Sequence, residues 1–184
     1  MSVKQGLIGY RRFLQGDNAA LEETVRIYSD ALVRFACCYV KNSATAEDIM
    51  EDAFVTLLLK RKIFHEEEQL RAYLYKTVRT KSIDYLRRQK RLASLSDYTD
   101  ALIGERTEYN VLQREQSLAV RQAMKKLPAQ YKETLLLSYF NGLDIQELCD
   151  ALGKTQKQVY NLLSRAKSSL KKILQKEGIS YEDL

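Results

Sequence analysis

An all-α fold, two small helical domains on a flexible linker, is the class that this sequence predicts, and three observations carry it. With 7 glycines and 1 proline in 184 residues there is little material for hairpins. Apolar residues recur at steps of three and four rather than two. Between residues 92 and 110, LASLSDYTDALIGERTEYN, both that periodicity and a strong basic bias lapse. The expected organisation is therefore a domain over 1–91, a linker over 92–110 and a domain over 111–184. A hydrophobic content of 45% belongs to a folding chain, so disorder of the whole is excluded.

The first long helix follows GDN at 16–18. Leu21, Val25, Tyr28, Leu32, Phe35 or Ala36, and Tyr39 form one stripe, with Asp17 or Asn18 placed to cap it. Residues 41–43 end it. Thr45 and Asp48 then have the spacing of a capping box for a second helix that turns Ala46, Ile49 or Met50, Ala53 and Leu57 inward. A third helix is expected near 69–89, with Leu70, Leu74, Val78, Tyr85 and Leu86 inward. In the second domain a helix is expected over 112–127, and another opens at Pro128 and runs to Phe140. Asn141-Gly142 stops it, Asp144 caps a short helix over 145–152, Gly153 makes the turn, and Thr155 opens a long final helix. That last helix turns Val159, Leu162 or Leu163, Ala166, Leu170 and Ile173 or Leu174 inward.

Charge is distributed more tellingly than its net value of +6 suggests. Between 71 and 91 the chain carries Arg71, Lys76, Arg79, Lys81, Arg87, Arg88, Lys90 and Arg91 against Asp84 alone. A second basic block runs over 125–176. By contrast, residues 42–59 hold Glu47, Asp48, Glu51 and Asp52 and no basic residue, and with Val55 these acids lie at i, i+1, i+4, i+5 and i+8 on one helix face. Two kinds of partner follow: a polyanion for the basic blocks and a basic surface for the acidic helix. Acids at a helix N-terminus also complement its dipole, but Glu51 and Asp52 lie beyond the first turn, where that benefit has faded.

Several function classes drop out. Cys37, Cys38 and Cys149 lack metal-ligand spacing, and the one histidine is His65, so no structural zinc site and no cofactor is expected. The cysteines read as reduced, small apolar residues. An enzyme would need a clustered nucleophile or metal site, which the inventory does not offer. Neither a signal-peptide core nor a run of membrane-spanning length is present, and a cytoplasmic protein without membrane insertion is expected.

Gly153-Lys154-Thr155 has the last letters of a phosphate-binding loop, yet Leu148 stands where that loop needs its first glycine, and a helix precedes it instead of a strand. Two helices joined by a short glycine turn instead make a helix-turn-helix candidate. Thr155, Gln156, Lys157, Gln158, Tyr160, Asn161, Ser164 and Arg165 are donors and acceptors suited to base edges and phosphates in a major groove, with Lys154 and the helix N-terminus facing the backbone. Cys149 is small where the two helices must approach.

Residues 127–174, LPAQYKETLLLSYFNGLDIQELCDALGKTQKQVYNLLSRAKSSLKKIL, resemble the fourth conserved region of bacterial RNA polymerase sigma factors of the extracytoplasmic-function group. TAEDIMEDAFVTLL at 45–58 and LRAYLYKTVRTKSIDYLRRQKR at 70–91 resemble the second conserved region. The resemblance implies a promoter-specificity subunit with three partners: the polymerase core, promoter DNA, and an anti-sigma protein that wedges between the domains. It implies that Glu47, Asp48, Glu51 and Asp52 dock on the core enzyme. It further implies that residues 65–69, His65, Glu66, Glu67, Glu68 and Gln69, capture an unstacked base of the downstream element. Arg71, Lys76, Arg79, Arg87, Arg88 and Arg91 would then hold that strand's phosphates. The helix-turn-helix residues would read the upstream element. Carboxylates at Glu66, Glu67 and Glu68 repel phosphate but accept from cytosine's amino group, while a solvated loop is the equal alternative. The chain departs from the family wording at Tyr73, where tryptophan is usual, at Thr80 in place of asparagine, and across residues 157–162 of the recognition helix. A conventional helix-turn-helix regulator is the alternative, but it leaves the acidic helix without a task. A helical interaction adaptor leaves the basic recognition surface without one.

Overall fold

The computed structural model describes residues 5–40, 42–95 and 118–178, which fold into two compact units divided between Tyr109 and Asn110. Among the described residues every regular element is helical. The first unit holds α1 (Gln5–Leu14), α2 (Ala20–Val40), α3 (Ser43–Lys60) and α4 (Glu67–Leu95). The second holds α5 (Leu118–Lys125), α6 (Ala129–Leu135), α7 (Ile145–Leu152) and α8 (Gln156–Lys176), with one π-helical stretch, Leu136–Phe140, continuing α6.

Helix α1 has no counterpart in the expectations from sequence, and it changes what surrounds it. Asp17 does cap α2, its carboxylate accepting from the Ala20 amide at 3.3 Å. The first buried positions of α2 are Ala20 and Thr24, while Leu21 and Val25 are half-buried, because α1 packs along that edge. The approach is close at two glycines. A methyl group on Gly9 would meet the Ala20 carbonyl and the Thr24 hydroxyl, both at 2.7 Å, and one on Gly6 would meet the Tyr28 ring at 2.5 Å and Glu67 at 2.7 Å. The Thr24 hydroxyl uses that space to donate to the Gly6 carbonyl at 2.9 Å. Glycine within a helix costs roughly 0.5–1 kcal/mol relative to alanine; here it lets two backbones touch.

The core beneath is built by α2, α3 and α4. Leu32, Phe35, Leu57, Leu70, Leu74 and Val78 are essentially excluded from solvent, and the Phe35 ring meets Tyr75 edge-on with centroids 5.2 Å apart. Helix α3 starts earlier than the Thr45 capping box would have it: Asn42 is the cap, its side chain accepting from the Thr45 amide at 3.0 Å. Helix α4 is longer than expected at both ends, and Leu86 is exposed rather than inward, because by that point the helix has run past the apolar faces of α2 and α3.

Glu67, Glu68 and Gln69 therefore belong to the first turn of α4 and not to a loop. Glu67 is buried, 4% exposed. One carboxylate oxygen accepts from the Leu7 amide at 2.7 Å, and the other accepts from the Tyr28 hydroxyl. This corrects the assignment of Glu67 to base reading, since both its oxygens face protein donors. Burial first, and then the hydrogen bond to Glu67, raise the Tyr28 phenol above its ordinary range. Glu66 stays exposed, and Gln69 folds back so that its side chain accepts from the His65 amide at 3.0 Å.

In the second unit Val120, Ala123, Met124, Leu127, Leu135, Ala166 and Leu174 form one cluster, joined by Tyr131, Phe140 and Leu170 from its rim. Pro128 is the residue before α6 rather than its first member, with an extended backbone (φ −52°, ψ 141°). The π-helical stretch ends where the Asn141 amide donates to the Leu136 carbonyl at 3.0 Å and Gly142 turns with φ +62°. Leu148, Ala151 and Leu152 are the buried face of α7, whereas Cys149 is half-buried beside them.

Two substitutions test this packing. Gly9→Ala is expected to destabilise the first unit by about 1–3 kcal/mol, since the methyl meets a backbone carbonyl that cannot swing aside; denaturant titration reads it directly. Glu67→Ala leaves the buried Leu7 amide and Tyr28 hydroxyl without their acceptor and is expected to cost about 2–4 kcal/mol. A third test uses pH. The folded state keeps the Tyr28 proton where the unfolded chain releases it, so stability contributed by this group is intact below the ordinary phenol pKa of about 10 and is lost as pH rises past it. Denaturant midpoints between about pH 9 and 11 should fall more steeply in the wild type than in Tyr28→Phe.

Candidate nucleic-acid and protein interfaces

The acidic row is on the exposed side of α3. With the helix starting at Ser43, Glu47, Asp48, Glu51 and Asp52 all lie beyond its first turn, so dipole complementation explains even less of them than the sequence suggested. All four are exposed, and the row continues into Val55, 50% exposed, and Leu59, 80% exposed. Ser43 donates to Glu47 at 3.0 Å, and Lys81 of α4 pairs with Asp52 at 3.3 Å. Carboxylates beside bare aliphatic side chains suit a partner that offers both basic and apolar groups.

Helix α4 carries its cations on more than one side. Asp84, Arg87, Arg88, Lys90 and Arg91 lie together along its C-terminal part, where Asp84 pairs with Arg87 at 3.6 Å. Lys76, Arg87, Arg88 and Arg91 are exposed, and Arg79 is half-buried. Arg71 is half-buried and acts electrostatically on Tyr28, so it belongs with the Glu67 network more than with the outer row.

Between α3 and α4, His65 and Glu66 are exposed, and Phe64 is buried against Tyr73, with ring centroids 5.4 Å apart. The Lys62 ammonium lies over both rings, 5.5 Å from Phe64 and 5.3 Å from Tyr73. Tyr73 is half-buried, and its hydroxyl is enclosed without a hydrogen-bond partner.

The helix-turn-helix is fixed by reciprocal caps. Asp144 accepts from the Glu147 amide at 2.8 Å while Glu147 accepts from the Asp144 amide at 2.8 Å, starting α7. Gly153 ends it in the left-handed region (φ +63°), where its amide donates to the Cys149 carbonyl. Thr155 and Gln158 repeat the arrangement at the start of α8, at 3.4 and 2.9 Å. Val159, Leu163 and Ala166 are turned inward, so Gln156, Lys157, Gln158, Tyr160, Asn161, Ser164 and Arg165 share the solvent side with Thr155. The side chains of Thr155 and Gln158 are thus engaged in capping as well as exposed. Lys154, Gln158, Asn161, Leu162 and Arg165 line a groove of about 220 Å³ together with Gln130 of α6. Gln130, near the start of α6, is the groove-lining residue that sequence reasoning does not name; no motif or periodicity marks it.

Among the described residues no group of His, Cys, Asp and Glu could hold a metal ion, and no helix is long and apolar enough to cross a membrane. Burial raises the thiols of Cys37 and Cys149 above their ordinary range.

Comparison with known proteins places both units. The family model for Sigma-70 region 2 matches residues 24–92, and that for Sigma-70, region 4 matches residues 117–170. The RNA polymerase sigma factor SigV of Bacillus subtilis is 26% identical over 90% of this chain and 98% of its own length. The ECF RNA polymerase sigma factor SigM of the same organism is 24% identical over 88% of this chain and 99% of its own. Among solved structures, the sigma factor RpoE in complex with the anti-sigma factor NepR from Bartonella quintana gives a TM-score of 0.64 at 20% identity, covering 84% of this chain and 96% of that one. CnrH in complex with the cytosolic domain of CnrY gives 0.65 at 20% identity, covering 95% and 98%. With both regions matched in order across two thirds of its length, this chain belongs to the sigma-70 family of RNA polymerase sigma factors, in the extracytoplasmic-function group.

Proposed function

We propose that this promoter-specificity factor divides its work among three surfaces: the α3 row binds core polymerase, α4 with the turn before it holds the melted downstream element, and the outer face of α8 reads the upstream element. The observation that carries the reading is the α3 row. Four carboxylates and two exposed aliphatic residues on one face have no use on a protein that only binds DNA, whereas a basic helical surface on a polymerase would complement them.

Phosphates of a single strand would lie along Lys76, Arg79, Arg87, Arg88 and Arg91, and an unstacked base would meet His65, Glu66, Glu68 and Gln69 at the N-terminal end of the helix. In the turn before α8, Lys154 and Thr155 approach the backbone, while Gln156, Lys157, Gln158, Tyr160, Asn161, Ser164 and Arg165 on the helix face the groove. Each unit alone binds weakly, and the core enzyme joins them into a bivalent reader. The protein acts in the cytoplasm without chemistry of its own. Because one of the two solved structures above carries an anti-sigma factor, an anti-sigma protein is proposed as a third partner.

In vitro transcription with core polymerase tests the whole: added protein should start transcripts from a discrete set of promoters, and the absence of both initiation and co-purification with core would overturn the reading. Reversing Glu51 and Asp52 to lysine should weaken core binding at least about tenfold with the fold intact, as like charges meet. Arg165→Ala should cost about 1–3 kcal/mol on templates carrying the upstream element and leave other templates unaffected. Equal loss on both would refute its reading role.

A further inference from the structure

The connection between α3 and α4, residues 61–66, has little substance of its own to hold it. Arg61, Lys62, Ile63, His65 and Glu66 are exposed, and only Phe64 is buried. Its shape is nevertheless fixed, and α1 supplies the donors. The Tyr10 hydroxyl donates to the Lys62 carbonyl at 3.0 Å. The Arg11 guanidinium donates through Nη2 to the carbonyls of Phe64, at 3.2 Å, and His65, at 2.7 Å. In the other direction, Arg61 donates to the Leu14 carbonyl at the end of α1 at 3.0 Å and lies 5.6 Å from the Phe13 ring centroid. Arg61 has φ +43°, a left-handed conformation that a residue other than glycine keeps only when its surroundings enforce it. Here two things hold it: its amide donates to the Leu57 carbonyl at 3.1 Å as the cap that ends α3, and its guanidinium is tied to α1.

We infer that α1 is a brace that sets the path of residues 61–66 before DNA arrives, and that Tyr10 and Arg11 are positioning residues for capture of the single strand. This rests on the reading above that the turn and the start of α4 engage the melted strand. A loop held in its binding shape spares the complex the loss of backbone freedom that ordering would otherwise exact. Both bonds leave from one guanidinium nitrogen, whose N–H groups are held in a fixed plane; a lysine ammonium has donors enough but no such plane to aim them. Both residues act from behind, through carbonyls that are thereby withdrawn from other partners.

The test uses the full chain carrying Arg11→Ala or Tyr10→Phe. In the free protein, hydrogen exchange should accelerate at the amides of residues 62–66 and stay unchanged in α2 and the buried part of α4. In holoenzyme with core polymerase, affinity should be measured for single-stranded oligonucleotides selected from a randomised pool by the wild-type holoenzyme. Arg11→Ala should weaken it about tenfold, Tyr10→Phe less, and Arg11→Lys should recover part of the loss, with upstream duplex binding unaltered. Acceleration spread evenly through the first unit would show a general loss of structure and overturn the inference. Faster loop exchange with unaltered oligonucleotide affinity would overturn it too. A wild-type holoenzyme that selects no oligonucleotide removes the strand-capture reading on which the inference rests, whereas selection by wild type and variants alike removes the brace alone.

Discussion

The first unit depends on a buried carboxylate. Glu67 stands at the N-terminus of α4, where the dipole favours a negative charge, and accepts from the backbone of α1 and the hydroxyl of Tyr28 on α2. Three helices thus meet at two oxygens. A charge removed from water is tolerable only where hydrogen bonds replace its hydration, and here those donors come from elements that must all be in place together. Gly6 is part of the same constraint, because a side chain there would occupy the space that Glu67 and Tyr28 fill.

The second unit solves a different problem by different means. Its helix-turn-helix is set by reciprocal caps, and one of them is made by a buried carboxylate, Glu147, 2% exposed. Reciprocal bonds start α7 and α8, and a left-handed glycine stops the first of them. Such caps fix where each helix begins, and so which residues turn outward. With Val159, Leu163 and Ala166 committed to the interior, the polar residues from Thr155 to Arg165 have the outer side to themselves. Orientation of the recognition surface follows from the register of α8.

Sequence reasoning was strongest where one residue type determines one local geometry. Asp144, Gly153 and Thr155 do what their chemistry demands, and the stripe on α8 needs only periodicity to be seen. It was weaker where a choice among equivalent polar residues is settled by tertiary contacts. Three consecutive glutamates, Glu66, Glu67 and Glu68, look alike in the chain, yet only the middle one is buried, because α1 brings a backbone amide to it. That helix itself was missed, since Gly6 and Gly9 argue against a helix until the close approach to α2 is known. The start of α3 was misplaced for a related reason: Asn42 and Thr45 are both competent caps, and the choice falls to Asn42. Leu86 was assigned inward by periodicity alone, which does not say where the neighbouring helices end.

The contact between Leu7 and Glu67 spans 60 positions of the chain, and it has a consequence for biogenesis. Helix α1 is made before the other described helices, yet its acceptor on α4 and the carbonyls of residues 62–65 that it binds are made last among the elements it touches. During that interval α1, too short to persist alone in water, has α2 to pack on through Gly6 and Gly9 but no acceptor for its Leu7 amide. The α1 edge of the unit therefore closes fully only once the start of α4 is available. A nascent chain arrested before residue 67 leaves the Leu7 amide and the Tyr28 hydroxyl without the acceptor they share.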